Sequence, residues 1–326
     1  MEETLDLYRG ALVGAAVGEA LGATVDELSR TEVRKQYGVH REIVGGGRLR
    51  VKPGERGDET LLALAVARAL ADKGDVDLRE IVKRLVECFG ARSTEQRGTG
   101  PVTNAVLSVL KPRAKDLFAP AKKIAEQLGD EAAGCGALLR VMPVGLLRRV
   151  LFKELITDTI QVCRLTHFDQ RCVDAAIAYN FGISYLTSGK DPSKLLFKTW
   201  RFVADARESR EYRELVGTDS PSEDMVKALR AVNSLQYEDL KSDGRAIHAA
   251  QAAYWIVLNA IDFEEGLVRT VNLGGDAATL GAIAGAFLGA RFGAHAIPER
   301  WLNQLEYRDE FEAIAKKLCI LAEPKK

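Results

Sequence analysis

The stretch VNLGGDAATLGAIAGAFLGARFG, Val271 to Gly293, carries the reading of the fold. It opens with a glycine-tight loop bearing one carboxylate, Asp276, and one hydroxyl, Thr279. It continues as a helix with glycines at 281, 285, 289 and 293. Steps of four place them on one helical face, and a face without side chains admits another backbone. The N-terminal segment repeats the device with Gly10, Gly14, Gly18 and Gly22. The two helices are expected to pack glycine face to glycine face, bringing Asp276 near Asp26 and Glu27. The same spacing also suits two separate Ala/Gly-rich core helices.

Composition narrows the classes. The chain has 326 residues, 47% of them hydrophobic, enough for a sizeable core. Lys+Arg and Asp+Glu both number 46, and this balance argues against a protein that grips nucleic acid through phosphates. Five scattered cysteines lack zinc-ligand spacing and suggest no disulfide framework. The N-terminus has no signal-peptide pattern, and the longest apolar run, 280–290, is too short for a bilayer. A cytoplasmic setting without membrane contact is therefore expected.

Along the chain almost every periodic segment reads as helix. The pattern predicts helices over 4–22, 78–89, 104–110, 119–128, 137–150, 170–187, 245–260 and 308–322, with another after Gly57-Asp58-Glu59-Thr60. Residues 23–57 lack a clean period and read as a long structured loop, a form that usually serves function. Pro143 is expected to kink its helix or mark its first turn. Residues 189–243 read as two or three polar helices with turns at Gly189 and Ser220. No strand ladder and no linker composition are visible. The expectation is a single all-α domain over 1–326, an orthogonal helical bundle.

Several residues carry chemistry. Asp26, Asp58, Glu59, Asp276 and Thr279 are oxygen donors on loops and helix starts, the ligands that Mg²⁺ or Mn²⁺ prefers; acids in a first helical turn also serve simply as caps. Gly98-Thr99-Gly100, ahead of Thr103, and Gly134-Cys135-Gly136 are glycine turns leading into helices, where backbone N–H groups can hold a phosphate. His167 lies between two helices, placed either to cap one or to donate to a hydroxyl or phosphate. A metal beside two such turns suggests a nucleotide-diphosphate substrate with chemistry at an attached sugar.

In the order of these motifs the sequence resembles the ADP-ribosylglycohydrolases, and within them the dinitrogenase reductase-activating branch. The resemblance runs from about residue 8 to 305 through GALVGAAVGEALGATVD, GERGDETLLALAVARAL, RGTGPVT, GCGALLRVMPVGLL, LTHFDQ, GRAIHAAQAAYWI and NLGGDAATLGAIAGAFLGARFG. It implies an all-α fold, two Mg²⁺ or Mn²⁺ ions, and cleavage of the bond between the distal ribose of ADP-ribose and a protein side chain. The partner implied is ADP-ribose or an ADP-ribosylated protein.

There are departures from the family pattern. Gly57-Asp58-Glu59-Thr60 stands where the family has Thr-Asp-Asp-Thr. Asp276-Ala277-Ala278-Thr279 stands for Asp-x-Asp-Thr. Asp26 replaces a usual Glu, Glu19 a usual Asp, and Cys135 a usual Asn. Ala278 cannot coordinate, so one cation rather than two is expected, on Asp58, Glu59, Asp276 and Thr279, with Glu59 reaching toward the space left by Ala278. Asp26, with Glu27 beside it, is expected to manage the attacking water or the leaving group. His167 and the glycines at 98, 100, 134 and 136 are expected to hold the ligand. A silent ADP-ribose-binding module and a structural protein on the same fold are the rival readings.

Overall fold

The computed structural model describes residues 2–55, 57–91, 98–217 and 223–323. Arg97 and the Ser220 turn, both singled out in the sequence, lie outside them. The described residues form α1 (Glu2–Gly22), α2 (Arg30–Tyr37), α3 (Asp58–Lys73), α4 (Leu78–Ala91), α5 (Pro101–Leu107) and α6 (Ala119–Leu128). There follow α7 (Gly136–Leu147), α8 (Phe152–Arg164), α9 (Gln170–Thr187), α10 (Leu195–Glu208), α11 (Arg210–Val216) and α12 (Asp224–Ala231). The chain closes with α13 (Ala246–Asn259), α14 (Phe263–Val271), α15 (Ala277–Phe292), α16 (Glu299–Leu302) and α17 (Arg308–Leu321). Among the described residues the only β-type pairings are three isolated bridges. None of these helices is long and apolar enough to cross a membrane.

The fold is built on α1 against α15. A Cβ placed on Gly10 would lie 2.2 Å from the Gly289 carbonyl oxygen, one on Gly14 2.4 Å from that of Gly285, and one on Gly18 2.0 Å from that of Gly281. The relation is mutual, since Cβ atoms on Gly281, Gly285 and Gly289 would strike the carbonyls of Gly18, Gly14 and Gly10. The helices are therefore antiparallel, and their backbones touch where side chains would normally stand. Gly293, expected as the last residue of the stripe, is instead the cap of α15, with φ at +84°.

Local signals account for most ends. Pro101 sits at the first position of α5, where its missing N–H costs nothing. Asp169 caps α9 through Arg171 N. Pro143 lies inside α7 rather than at its start. The loop expected over 23–57 contains α2, which opens on a Ser29–Glu32 capping box and buries only Val33. With so little apolar periodicity, the cap was its only legible mark. Around the glycine pair, α9 and α13 pack Tyr179 and Tyr254 onto Phe287 of α15, with ring centroids 4.6 and 4.9 Å away.

Candidate active site

The α1–α15 contact determines what meets at its open end. The loop after α1 runs beside the loop before α15: Glu27 N donates to Gly275 O at 2.7 Å, and Gly275 N returns a bond to Leu28 O at 2.7 Å. Glu27 adopts φ +64°, unusual for a residue with a side chain, and strain of that kind gathers at functional sites. Asp276 N is held by Ser242 O, and Cys135 N by Gly244 O, both at 2.8 Å. Four loops from distant parts of the chain are thus sewn together by main-chain bonds.

They surround a cleft of about 830 Å³. Every residue expected at the site lines it except Asp58, which lies in an adjoining chamber of about 20 Å³. That chamber has room for roughly one water molecule. Asp26, Gly98 and Thr279 line both spaces.

Asp26 is buried; its Oδ1 accepts from Ala278 N at 3.1 Å, and its Oδ2 lies 3.6 Å from Arg48. Burial, then the nearby Asp276 charge, pushes its carboxyl up to about 6. Glu27 stands at the mouth, paired with Arg48 at 2.8 Å and more than half exposed. The two acids therefore differ in kind, one interior with a shifted proton affinity, the other on the rim.

Behind the cleft wall is an arginine that sequence reasoning passed over. Arg140, on the apolar helix α7, is 1% exposed. Its Nη1 donates to Thr166 Oγ1 at 2.6 Å, and its Nη2 donates to Thr103 Oγ1 at 3.2 Å and Glu59 Oε2 at 3.3 Å. The signal was a charge within Gly-Ala-Leu-Leu-Arg-Val-Met-Pro, since buried arginines are almost always paired. Glu59, expected to reach toward the space left by Ala278, has its Oε2 held by this guanidinium. Burial raises its carboxyl to about 8 while Arg140 pulls it back; Glu19, Asp276 and Asp58 add to the rise.

Glu19 is the second residue given no role in the sequence. Its carboxylate accepts from Glu59 N at 3.1 Å, from Thr60 N at 3.0 Å and from the Thr60 hydroxyl. It caps α3, and burial raises it to about 7. A Cβ on Gly57 would lie 2.0 Å from its Oε1.

His167 is buried and neutral, its proton affinity lowered to about 3 by burial and the Arg140 charge. Its Nδ1 meets Thr166 Oγ1 at 3.1 Å. Cβ atoms on Gly134 and Gly136 would lie 3.6 Å from its Nε2 and 3.5 Å from its Cε1. These glycines keep the wall before the ring thin. The Cys135 amide is already bonded to Gly244, so that one donor of the turn is spent. Cys135 itself donates its thiol to Asp276 Oδ2 at 3.3 Å. Gly98 needs its glycine for φ +95°, and Gly100 has open space where a side chain would stand.

The model of the ADP-ribosylglycohydrolase family matches residues 1–326. This chain belongs to that family. It is 28% identical over 321 residues to the ADP-ribosyl-[dinitrogen reductase] glycohydrolase of Rhodospirillum rubrum, covering 97% of this chain and 96% of the relative. It is 26% identical to the ADP-ribosylarginine hydrolase Tri1 of Serratia proteamaculans, covering 98% and 81%. A solved ADP-ribosylglycohydrolase-related protein complex aligns with a TM-score of 0.74 at 28% identity, over 99% of this chain and all of the other.

For the metals the family resemblance implies, the donors present do not fit a pair. Ala278 presents a methyl group, with its amide spent on Asp26. Gly57 has no side chain, and Glu59 is held by Arg140. Among the described residues no three His, Cys, Asp or Glu side chains form a metal-binding group. What remains are the carboxylates of Asp58 and Asp276 and the hydroxyl of Thr279. Those are hard oxygen donors, the ligand type that Mg²⁺ or Mn²⁺ prefers.

Proposed function

We propose that this ADP-ribosylglycohydrolase relative hydrolyses the bond between the distal ribose of an ADP-ribosyl group and a protein side chain. The observation that carries the reading is Asp26, a buried acid held by the Ala278 amide and lining, with Asp276, a cleft of about 830 Å³. That size suits a nucleotide-sized ligand. The names of the relatives in Rhodospirillum and Serratia point to the same reaction class.

In this reading water attacks the anomeric carbon, and the bond to the side-chain atom breaks through an oxocarbenium-like state. Asp26 takes the proton of the water or supplies one to the departing atom. A buried carboxyl held in place by a main-chain amide suits that exchange. The Ala278 amide holds Oδ1, leaving Oδ2 on the side of Arg48. Asp276, unable to leave the loop tied to Ser242 and Leu28, stabilises positive charge growing on the ribose. His167 and the open glycines receive the rest of the ligand. Asp58, Asp276 and Thr279 are the residues to hold one divalent cation. When bound, such a cation orients ribose hydroxyls or a water by its charge.

The test is release of ADP-ribose from arginine- or serine-modified protein, with EDTA and with added Mg²⁺ or Mn²⁺. Turnover is expected, and Asp26→Asn should lower it by roughly 10²–10⁴-fold with little change in melting temperature. Ala278 and the Arg140-held Glu59 favour a second reading, a binder without turnover. Stabilisation by ADP-ribose with no release from any modified protein would establish it.

A further inference from the structure

Thr166 and Arg140 form a chain of donors that ends on His167, and the direction of that chain is determined by its chemistry. Arg140 has donors only. Its Nη1, 2.6 Å from Thr166 Oγ1, makes that oxygen an acceptor. Thr166 is fully buried and its hydroxyl carries one hydrogen. Among the described residues the acceptor in reach of that hydrogen is His167 Nδ1, at 3.1 Å. If Nδ1 carried the ring proton instead, the hydroxyl would face two donors and leave its own hydrogen unpaired in a dry interior.

We infer that Arg140 and Thr166 fix His167 in one neutral tautomer, with the proton on Nε2, so that the ring presents a hydrogen-bond donor to the cleft. Nε2 is the nitrogen that lies behind Gly134, where the absent side chain thins the wall. A donor there selects an acceptor oxygen of the ligand, such as a phosphoryl oxygen or a hydroxyl lone pair, and rejects a donor-only group. Thr166 and Arg140 are positioning residues, since neither lines the cleft. The low proton affinity of His167 agrees, because a charged ring would face the guanidinium through one oxygen atom. The ligand half of this inference rests on the ADP-ribosyl reading; the tautomer half does not.

The experiment is long-range ¹H–¹⁵N spectroscopy of the full-length protein labelled at histidine, with the four imidazoles sorted by a His167→Gln variant. His167 should show a protonated Nε2 and an unprotonated Nδ1, unchanged between pH 8 and 5. Thr166→Ser should keep that pattern. Thr166→Val should convert His167 partly to the other tautomer and weaken ADP-ribose binding about tenfold. Added ADP-ribose should shift the Nε2 proton in wild type. A proton on Nδ1 in the wild-type protein overturns the inference without any variant having to fold. So does a Thr166→Val protein with unchanged tautomer and affinity. If the tautomer is as stated but ADP-ribose does not bind, the proposed function and the ligand half fail together while the positioning chain stands.

Discussion

Gly18→Ala tests the contact on which the site depends. The added methyl would lie 2.0 Å from the Gly281 carbonyl oxygen and 2.4 Å from its carbon, closer than the 3.0 Å that real Cβ atoms respect. Relief requires the two backbones to part by about 1 Å, because neither atom belongs to a side chain that can rotate away. Alanine gains about 1 kcal/mol of helix propensity over glycine. Overpacking a tight interior costs about 1–3 kcal/mol, and a backbone obstacle belongs at or above the upper end. The net loss should be about 2 kcal/mol, roughly 3 °C of melting temperature in a chain of this size. Catalysis should suffer more than stability. The bond from Ala278 N to Asp26, 3.1 Å long, spans the same helix pair. A displacement near 1 Å at a catalytic acid can cost about 10²-fold. Gly90→Ala is the control: it lies in α4 with nothing within 4 Å of its added methyl, so it should gain about 0.5–1 kcal/mol. Urea denaturation of both variants, with ADP-ribose release measured well below the melting temperature, gives the answer. A Gly18→Ala protein as stable as Gly90→Ala would refute the close-contact argument.

Three other perturbations follow from the buried charges. Gly57→Thr should destabilise the protein by about 1–3 kcal/mol, because its Cβ meets the Glu19 carboxylate; Glu19→Asp should recover part of the loss in the double variant, a coupling readable by denaturation. Arg140→Met should cost about 1–3 kcal/mol by leaving the buried Glu59, Thr103 and Thr166 oxygens without their donor, and Arg140→Met with Glu59→Met should be closer to wild type than the single change. For pH dependence, Glu19 rises from 4.5 to about 7 on folding. Its contribution is fully present below 4.5 and is lost as pH climbs through 7, up to roughly 3 kcal/mol. Denaturation of Glu19→Gln from pH 5 to 8 should therefore give a flatter profile than wild type.

Legibility in the sequence followed the range of each interaction. The glycine stripes made a helix pair legible because spacing encodes a smooth face, and the structure sets the two faces together, leaving the rival of two separate core helices behind. The helix α2 escaped because a short solvent-facing helix has almost no apolar period, and its Ser29–Glu32 cap is a two-residue mark. The site residues were named from their loops, yet their partners were not. Arg140 lies 81 positions from Glu59 and 26 from Thr166, so nothing local joins them. The glycine turn at 134–136 leads into a helix and reads as a place where amides can hold a phosphate. Which amide is free, however, depends on Gly244, more than a hundred residues away.

The same contacts change the meaning of the family departures. Read singly, Gly57 loses a hydroxyl and Glu59 gains a methylene, which looks like erosion. Read in space, the longer Glu19 carboxylate occupies the volume that a side chain at 57 would need, and takes the α3 amides as well. The longer Glu59 meets a buried arginine that shares its other hydrogens with Thr103 and Thr166. Random loss would leave cavities or buried charges without partners at these positions. Here each enlarged acid is matched by a missing side chain or a cation, and Asp26 and Asp276 keep their places across the glycine seam. The departures are thus compensated locally, Glu19 filling the space beside Gly57 and Glu59 pairing with Arg140.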